Sequence, residues 1–159
     1  MNIVLTGGTG FVGRRLIEKL ATAQHHVVVL SRNPITTMFS AHPTVQVKGW
    51  DGSTVGGWAA DVDGADAIIN LAGEPMAAKR WTHSQKEKIL GSRISATKTI
   101  VEAIRQAKKK PSVLVSGSAV GYYGAVENGE VNESYRMGSG FLPNICDRWE
   151  QEARAVESA

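Results

Sequence analysis

Gly7, Gly10 and Gly13 stand three residues apart between a short apolar run, Asn2 to Thr6, and a stretch of helical periodicity that opens at Phe11. No other feature of the chain restricts its fold as much. Gly8, Gly10 and Gly13 also spell G-x-G-x-x-G, so the segment Leu5-Thr6-Gly7-Gly8-Thr9-Gly10-Phe11-Val12-Gly13 reads in either frame. Between a strand and a helix, Gly7 and Gly10 let the backbone turn tightly and approach a pyrophosphate, while Gly13 lets the helix pack close on the strand. The free N–H groups of the helix start then face the phosphates. Glycines also serve ordinary turns. The strand before and the helix after favour a dinucleotide site, with Gly7, Thr9, Gly10, Phe11, Val12 and Gly13 as its candidate residues.

The remaining pattern repeats the strand–helix alternation. A first helix is expected over about Phe11 to Ala23, with Phe11, Val12, Leu16, Ile17 and Leu20 on one side. His26 to Ser31 is a near-continuous apolar run, as in a parallel strand buried on both faces. Residues 33–44 read as loop, and Val45, Val47 and Trp50 alternate as a third strand. A short helix before Asp63-Gly64 and a fourth strand from Ala65 to Leu71 follow. The longest helix opens with Thr82 and Gln85, or Ser84 and Glu87, as a capping box, and runs to Lys110-Pro111. Val113 to Ser116 is a fifth strand, a glycine-rich loop reaches Gly140, and a last helix begins near Leu142-Pro143. These signals predict one α/β dinucleotide-binding domain over residues 1–159, a doubly wound, Rossmann-like parallel sheet ordered 3-2-1-4-5. The chain stops inside its last helix without a glycine cap or a proline, and a truncated chain is the expectation.

Composition excludes several function classes. With 42% hydrophobic and 21% charged residues the chain reads as a soluble globular protein. No apolar run approaches the eighteen or so residues of a membrane span. A strand at the N-terminus leaves no room for a signal peptide, so the expected compartment is the cytoplasm. Cys146 is the single cysteine, and the four histidines show no ligand spacing with it or with carboxylates, so neither a disulfide nor a metal is expected. The net charge of +3 is modest. Its densest cluster, Arg105 with Lys108, Lys109 and Lys110, is expected in the last turn of the long helix, where cations complement the dipole. Nucleic acid is not an expected partner; a small-molecule substrate is, and a homo-oligomer stays open.

The second strand's end sets the cofactor's flavour. NAD sites carry an acidic residue about 20 positions past the glycines, holding the ribose 2′-hydroxyl. Here that region is Leu30-Ser31-Arg32, with no acid. Ser31 can donate to a 2′-phosphate and Arg32 can pair with it bidentately, so the expected cofactor is NADP. Ligands of such sheets lie beyond the carboxyl ends of the strands, which brings Leu71, Ala72 and Gly73 beside the cofactor's middle. Asp51 reads equally as a contact to adenine or as a turn cap.

These residues together resemble the extended, epimerase-like branch of the short-chain dehydrogenase/reductase superfamily. More narrowly, Ser31-Arg32-Asn33-Pro34, Asn70-Leu71-Ala72-Gly73-Glu74, Gly91-Ser92-Arg93, Gly121-Tyr122-Tyr123-Gly124 and Trp149-Glu150 are similar to the atypical "epimerase family" proteins. Bacterial members are often labelled nucleoside-diphosphate sugar epimerases. Members run to about twice this length, which the resemblance turns into a further expectation of truncation, with the substrate-binding part missing. The superfamily's mechanism uses a Tyr-x-x-x-Lys pair beside a Ser or Thr. Ser118 matches the Ser position. The place of the tyrosine holds Pro143, with Asp147 in place of the lysine, and none of Tyr122, Tyr123 or Tyr135 is followed by a lysine at the fourth position. The resemblance therefore implies an NADP-dependent oxidoreductase or epimerase-like protein with an atypical site, its catalytic candidates Ser118, Tyr122 and Tyr123. An NADP-binding sensor without turnover is the alternative. Arg93 stands where these enzymes often carry an Asn, and the resemblance gives it a cofactor contact.

Overall fold

Apolar runs bounded by turn residues become five parallel strands: β1 (Asn2–Thr6), β2 (His26–Ser31), β3 (Val45–Gly49), β4 (Ala67–Asn70) and β5 (Val113–Ser116). In the computed structural model, which describes residues 1–158 except for the side chains of Thr36 and Thr37, they form one sheet in the order β3-β2-β1-β4-β5. The expected doubly wound order is the observed one. Two helices cross over between them, α1 (Phe11–Thr22) from β1 to β2 and α2 (His83–Gln106) from β4 to β5, and a third, α3 (Phe141–Arg154), follows β5. Register sets Val4 beside Val28 and Ile68, and Thr6 beside Asn70, which in turn pairs with Ser116.

Strand side chains alternate between faces, so the two halves of each apolar run serve different cores. Val4, Leu30 and Ile68 pack with Ala96, Ile100 and Ile104 of α2 and with Trp50 and Trp58. Leu5, Val27 and Val29 face the other way, against Ile17 of α1. Burying a side chain such as Ile17 or Ile100 contributes about 2–3 kcal/mol, which is what holds each helix to its face.

Three expectations need correction. Phe11 and Val12 do not share the inner side of α1; they are 90% and 62% exposed. Gly13, Ile17 and Ala21 form the buried stripe, and at 3.6 residues per turn Phe11 and Val12 point about 120° and 140° away from Ile17. Secondly, α2 ends at Gln106 and not at Lys110. Ala107 turns extended, Asp63 Oδ1 accepts the Lys109 N–H at 2.8 Å, and the Lys109 carbonyl accepts from Gly64 at 2.9 Å. The three lysines thus lie past the helix, and Arg105 alone serves its last turn. Thirdly, β4 is shorter than expected, and Trp50 lies just outside β3, buried. The choice between two capping boxes falls to Thr82, whose hydroxyl accepts from Gln85 N at 3.2 Å. The Gln85 side chain reaches Glu74 instead of returning to the cap. Among the described residues no helix is long and apolar enough to cross a membrane.

Candidate functional site

Each glycine of the first turn answers to a different neighbour. Gly7 has φ +71, and a Cβ there would come within 2.5 Å of the Leu71 carbonyl oxygen and 2.9 Å of Ala72 N. Both the backbone conformation and the contact with the end of β4 demand glycine. At Gly13 a Cβ would strike the Gly7 carbonyl oxygen and stand 2.6 Å from Gly8 Cα, so this glycine lets α1 sit on the turn. Gly8 faces the core, its missing Cβ 2.6 Å from Val29 and 2.7 Å from Ile17. Gly7 and Gly13 are thus fixed by backbone and Gly8 by the core beneath the turn, so glycines of both frames are required by close packing. Gly10 differs from all of these: its Cβ would meet just the Gly7 oxygen at 3.2 Å and would otherwise fill the groove above. Gly10 is also the N-cap of α1, without a side-chain acceptor and with no acid in the first turn. The N–H groups at Phe11, Val12 and Gly13 are left for an anion.

A groove of about 610 Å³ opens over this turn, beyond the carboxyl ends of β1, β2 and β4. Gly7, Thr9 and Gly10 line it at one point, Ser31 and Arg32 at another, and Leu71, Ala72 and Gly73 at a third. Beneath it lies a fully buried polar network. Thr6 Oγ1 donates to Asn70 Oδ1 at 2.7 Å and accepts from Ala72 N at 3.2 Å, while Asn70 Nδ2 donates to Thr97 Oγ1 at 2.9 Å. Every side-chain partner here is satisfied, so the end of β4 is fixed to β1 and α2.

The far end of the groove is equally tied. Asp51 Oδ1 accepts from Ser53 N at 2.7 Å and Thr54 N at 2.8 Å, and Oδ2 accepts from the Thr54 hydroxyl at 2.7 Å. These bonds, the Ser53 N–H first among them, hold the Asp51 carboxyl down to about 2. Both Trp50 and Trp58 donate their indole N–H to the Thr54 carbonyl at 3.2 Å, with rings edge to face at 5.6 Å. Of the two sequence readings of Asp51, the turn cap is what the geometry contains. Ser31 holds the following turn, its hydroxyl donating to Asn33 O at 3.0 Å and accepting from Asn33 N at 3.2 Å. Arg32 is exposed at the rim. It makes no hydrogen bond or ion pair among the described residues.

Arg93 stands behind Gly73 and not on the groove wall. Its guanidinium donates to the carbonyls of Glu74 at 3.1 Å and Ile89 at 3.0 Å and lies 5.2 Å from the centre of the Trp149 ring. A Cβ on Gly73 would come 3.0 Å from its Cζ. Burial pulls the Arg93 pKa below its ordinary value, opposed by the charges of Cys146 and Glu74.

The catalytic candidates gather at a second place, past β5. Gly117 N donates to Asn70 O at 2.9 Å, which starts this corner directly beside the buried network. Ser118 is exposed, and its hydroxyl donates to Glu150 Oε1 at 2.6 Å; Arg154 donates to the other oxygen at 3.1 Å. Trp149 is buried against Gly117, where a Cβ would stand 3.0 Å from the ring. Tyr122 and Tyr123 sit in a short 3-10 turn, their rings edge to face at 5.5 Å, and Tyr123 meets Tyr135 at 6.0 Å. Buried Cys146 has its thiol pushed up chiefly by burial.

Ser118 and the tyrosines thus come to one corner, and the glycine turn, Arg32 and Leu71 to Gly73 come to one groove. In the sequence Glu150 stands out only through the resemblance of Trp149-Glu150, and Thr6 and Thr97 carry no site signal. A 32-residue separation carries no local signal for the Ser118–Glu150 bond. Thr6 and Thr97 look like ordinary positions of a strand and a helix. Among the described residues there is no cluster of His, Cys, Asp and Glu able to hold a metal.

The sequence model of the NAD dependent epimerase/dehydratase family matches residues 3–141. The chain is 37% identical over 158 residues to the chloroplastic epimerase family protein SDR39U1 homolog of Arabidopsis thaliana, covering 96% of this chain and 44% of that protein. It is also 37% identical to the epimerase family protein YfhF of Bacillus subtilis, covering 99% of this chain and 51% of that one. Among solved structures, human epimerase family protein SDR39U1 (isoform2) with NADPH superposes with a TM-score of 0.80 at 32% identity, over 97% of this chain and 49% of the human chain. The chain spans about half the length of the curated relatives it matches.

Proposed function

The chain belongs to the NAD dependent epimerase/dehydratase family, and from that premise we propose that it binds NADP(H) and forms the cofactor-holding part of an oxidoreductase or nucleotide-sugar epimerase-like enzyme. The observation that carries this reading is the open groove over Gly10, whose missing side chain leaves room directly above an uncapped helix start. The backbone of Gly7, Thr9 and Gly10, with the first-turn N–H groups of Phe11, Val12 and Gly13, would hold the pyrophosphate. Exposed Arg32 would hold a 2′-phosphate, with Ser31 a second donor once its hydroxyl turns from Asn33 O; the NADPH in the human relative's structure agrees with that flavour. Leu71, Ala72 and Gly73 would run along the cofactor's middle, with Arg93 fixing Gly73 from behind. A bound nicotinamide supplies hydride transfer. The chain's own task is to orient the substrate and move its proton, and Ser118 with Tyr122 and Tyr123 is the set of groups available for it.

A second reading, an NADP-binding sensor, is favoured by the missing Tyr-x-x-x-Lys pair. Stopped-flow absorbance at the reduced nicotinamide band, with a panel of carbonyl and nucleotide-sugar compounds, separates the two. Hydride transfer is expected for at least one substrate class. Tight NADP binding with no transfer across the panel leaves the sensor.

A further inference from the structure

We propose that Glu150 is the proton acceptor behind Ser118, the two forming a relay that takes the place of the lysine-assisted tyrosine. The proposal rests on the enzymatic reading above and assigns that reading a residue.

Several observations converge on this pair. The Ser118 Oγ to Glu150 Oε1 distance of 2.6 Å is at the short end for a hydroxyl donating to a carboxylate. Both partners are anchored by buried structure. Ser118 follows Gly117, whose N–H is held by Asn70 O at 2.9 Å and whose absent side chain makes room for Trp149. Glu150 follows Trp149 on α3, and Trp149 is 7% exposed under the Arg93 guanidinium. Chance contact between two solvated side chains needs none of that support. The second carboxylate oxygen is already used by Arg154 at 3.1 Å, which turns Oε1 toward Ser118.

Arg154, Cys146 and, three residues back, Asp147 come from its own helix, Arg93 lies over the neighbouring indole from α2, and Ser118 faces it from the loop after β5. Asp147 is engaged by Gln151, whose Nε2 donates to its Oδ2 at 2.8 Å. Tyr122 and Tyr123, by contrast, stack edge to face on each other. Neither has a lysine four residues on to assist it.

In the oxidative direction the substrate's hydroxyl O–H bond breaks and its proton passes to Ser118 Oγ as the Ser118 proton passes to Glu150, which becomes a carboxylic acid. A bound nicotinamide would accept the hydride from the substrate carbon, whose oxygen would become a carbonyl. Reduction runs the same transfers backwards. Ser118 is the group that would touch substrate, and Glu150 is a positioning residue acting through it.

The test needs no substrate. Diisopropyl fluorophosphate labels an activated serine: Ser118 Oγ bonds to phosphorus, fluoride leaves, and the serine proton goes to Glu150. Labelling is followed by mass spectrometry of the Ser118 peptide between about pH 4 and 8. A relay predicts a rate that falls on acidification, drops about tenfold or more in Glu150→Gln at neutral pH with the pH dependence flattened, and recovers in part in Glu150→Asp. Circular dichroism checks that the variants fold. Equal labelling rates in the wild type and in folded Glu150→Gln overturn the proposal. Calorimetry with NADP on the same proteins keeps the two claims apart, because loss of cofactor binding in the wild type would sink the functional reading and leave the labelling result standing.

Discussion

The groove and the corner meet at Asn70 yet are held in place differently. On the groove side, Thr6, Asn70 and Thr97 are completely buried and complete one another's hydrogen bonds. Beyond β5, Ser118 is exposed and its hydroxyl has one side-chain partner, while the tyrosine rings meet edge to face on a short turn against α3. A buried polar group without a partner costs far more than an exposed one, so the first region tolerates little change. The second is set by short loops and by one face of α3. The proposed cofactor groove thus rests on the sheet itself, and the proposed catalytic groups lie past its edge strand.

The comparison breaks most visibly at the glycines. Gly13→Val drives a side chain into the backbone at Gly7 and Gly8, which cannot move aside, and is expected to cost about 3 kcal/mol or more. Gly10→Val keeps the fold, because Gly10 has φ −78 and ψ 176, a conformation valine accepts, and its Cβ meets a single atom at 3.2 Å. Cofactor affinity should vanish in it all the same. Thermal melts and calorimetry on both variants distinguish these outcomes, and an unfolded Gly10→Val would mean that the groove above it is not open.

One step down, Asn70→Ala strands the Thr6 and Thr97 hydroxyls inside the protein and is expected to lose about 3 kcal/mol in urea denaturation. Ser118→Ala at the corner should stay within about 0.5 kcal/mol of wild type. Equal losses at the two positions would erase the contrast.

How far each region is legible in the sequence follows from the same division. The groove announces itself because glycine spacing, an apolar run and helix periodicity are all local, and the strand order follows from right-handed crossovers. Local patterns fail where a distant partner decides. The lysines after Gln106 looked like a helix end, until Asp63 and Gly64 captured the backbone at Lys109. Phe11 and Val12 looked like core because they are apolar, although the buried stripe runs through Gly13, Ile17 and Ala21. Glu150 enters the sequence only through the resemblance of Trp149-Glu150, and nothing near it in the chain points to Ser118.

Arg32 gives a finer test, confined to one end of the groove. Its side chain is exposed at the rim, and in the wild type NADP should bind at least about tenfold tighter than NAD, or about 1.4 kcal/mol. Arg32→Ala should bring NADP down to the affinity of NAD and leave NAD unchanged. Equal wild-type affinities measured by calorimetry would remove the 2′-phosphate from the reading.

The smallest expected effect concerns how the groove's far loop responds to acid. Two backbone N–H groups and a hydroxyl bond the ionised Asp51 carboxyl, which lowers it from 3.8 to about 2. Because the native value lies below the unfolded one, the bond set contributes its full stabilisation above the ordinary carboxylate value. That contribution is lost as pH falls through about 2. Side-chain carboxyl NMR should therefore find Asp51 still ionised at pH 3, and Asp51→Asn should lose this increment at neutral pH, where it is fully present, and flatten the fall in stability below the ordinary carboxylate value. Tryptophan emission offers a second readout, since Trp50 and Trp58 both donate to the carbonyl of Thr54, the residue whose amide and hydroxyl Asp51 holds. Loosening of the loop should shift their emission as Asp51 protonates and leave Ser118, on the other side of Asn70, unaffected. An Asp51 that titrates near 3.8 would mean that the loop is not held by its carboxylate, and the groove would then be secured by the buried network alone.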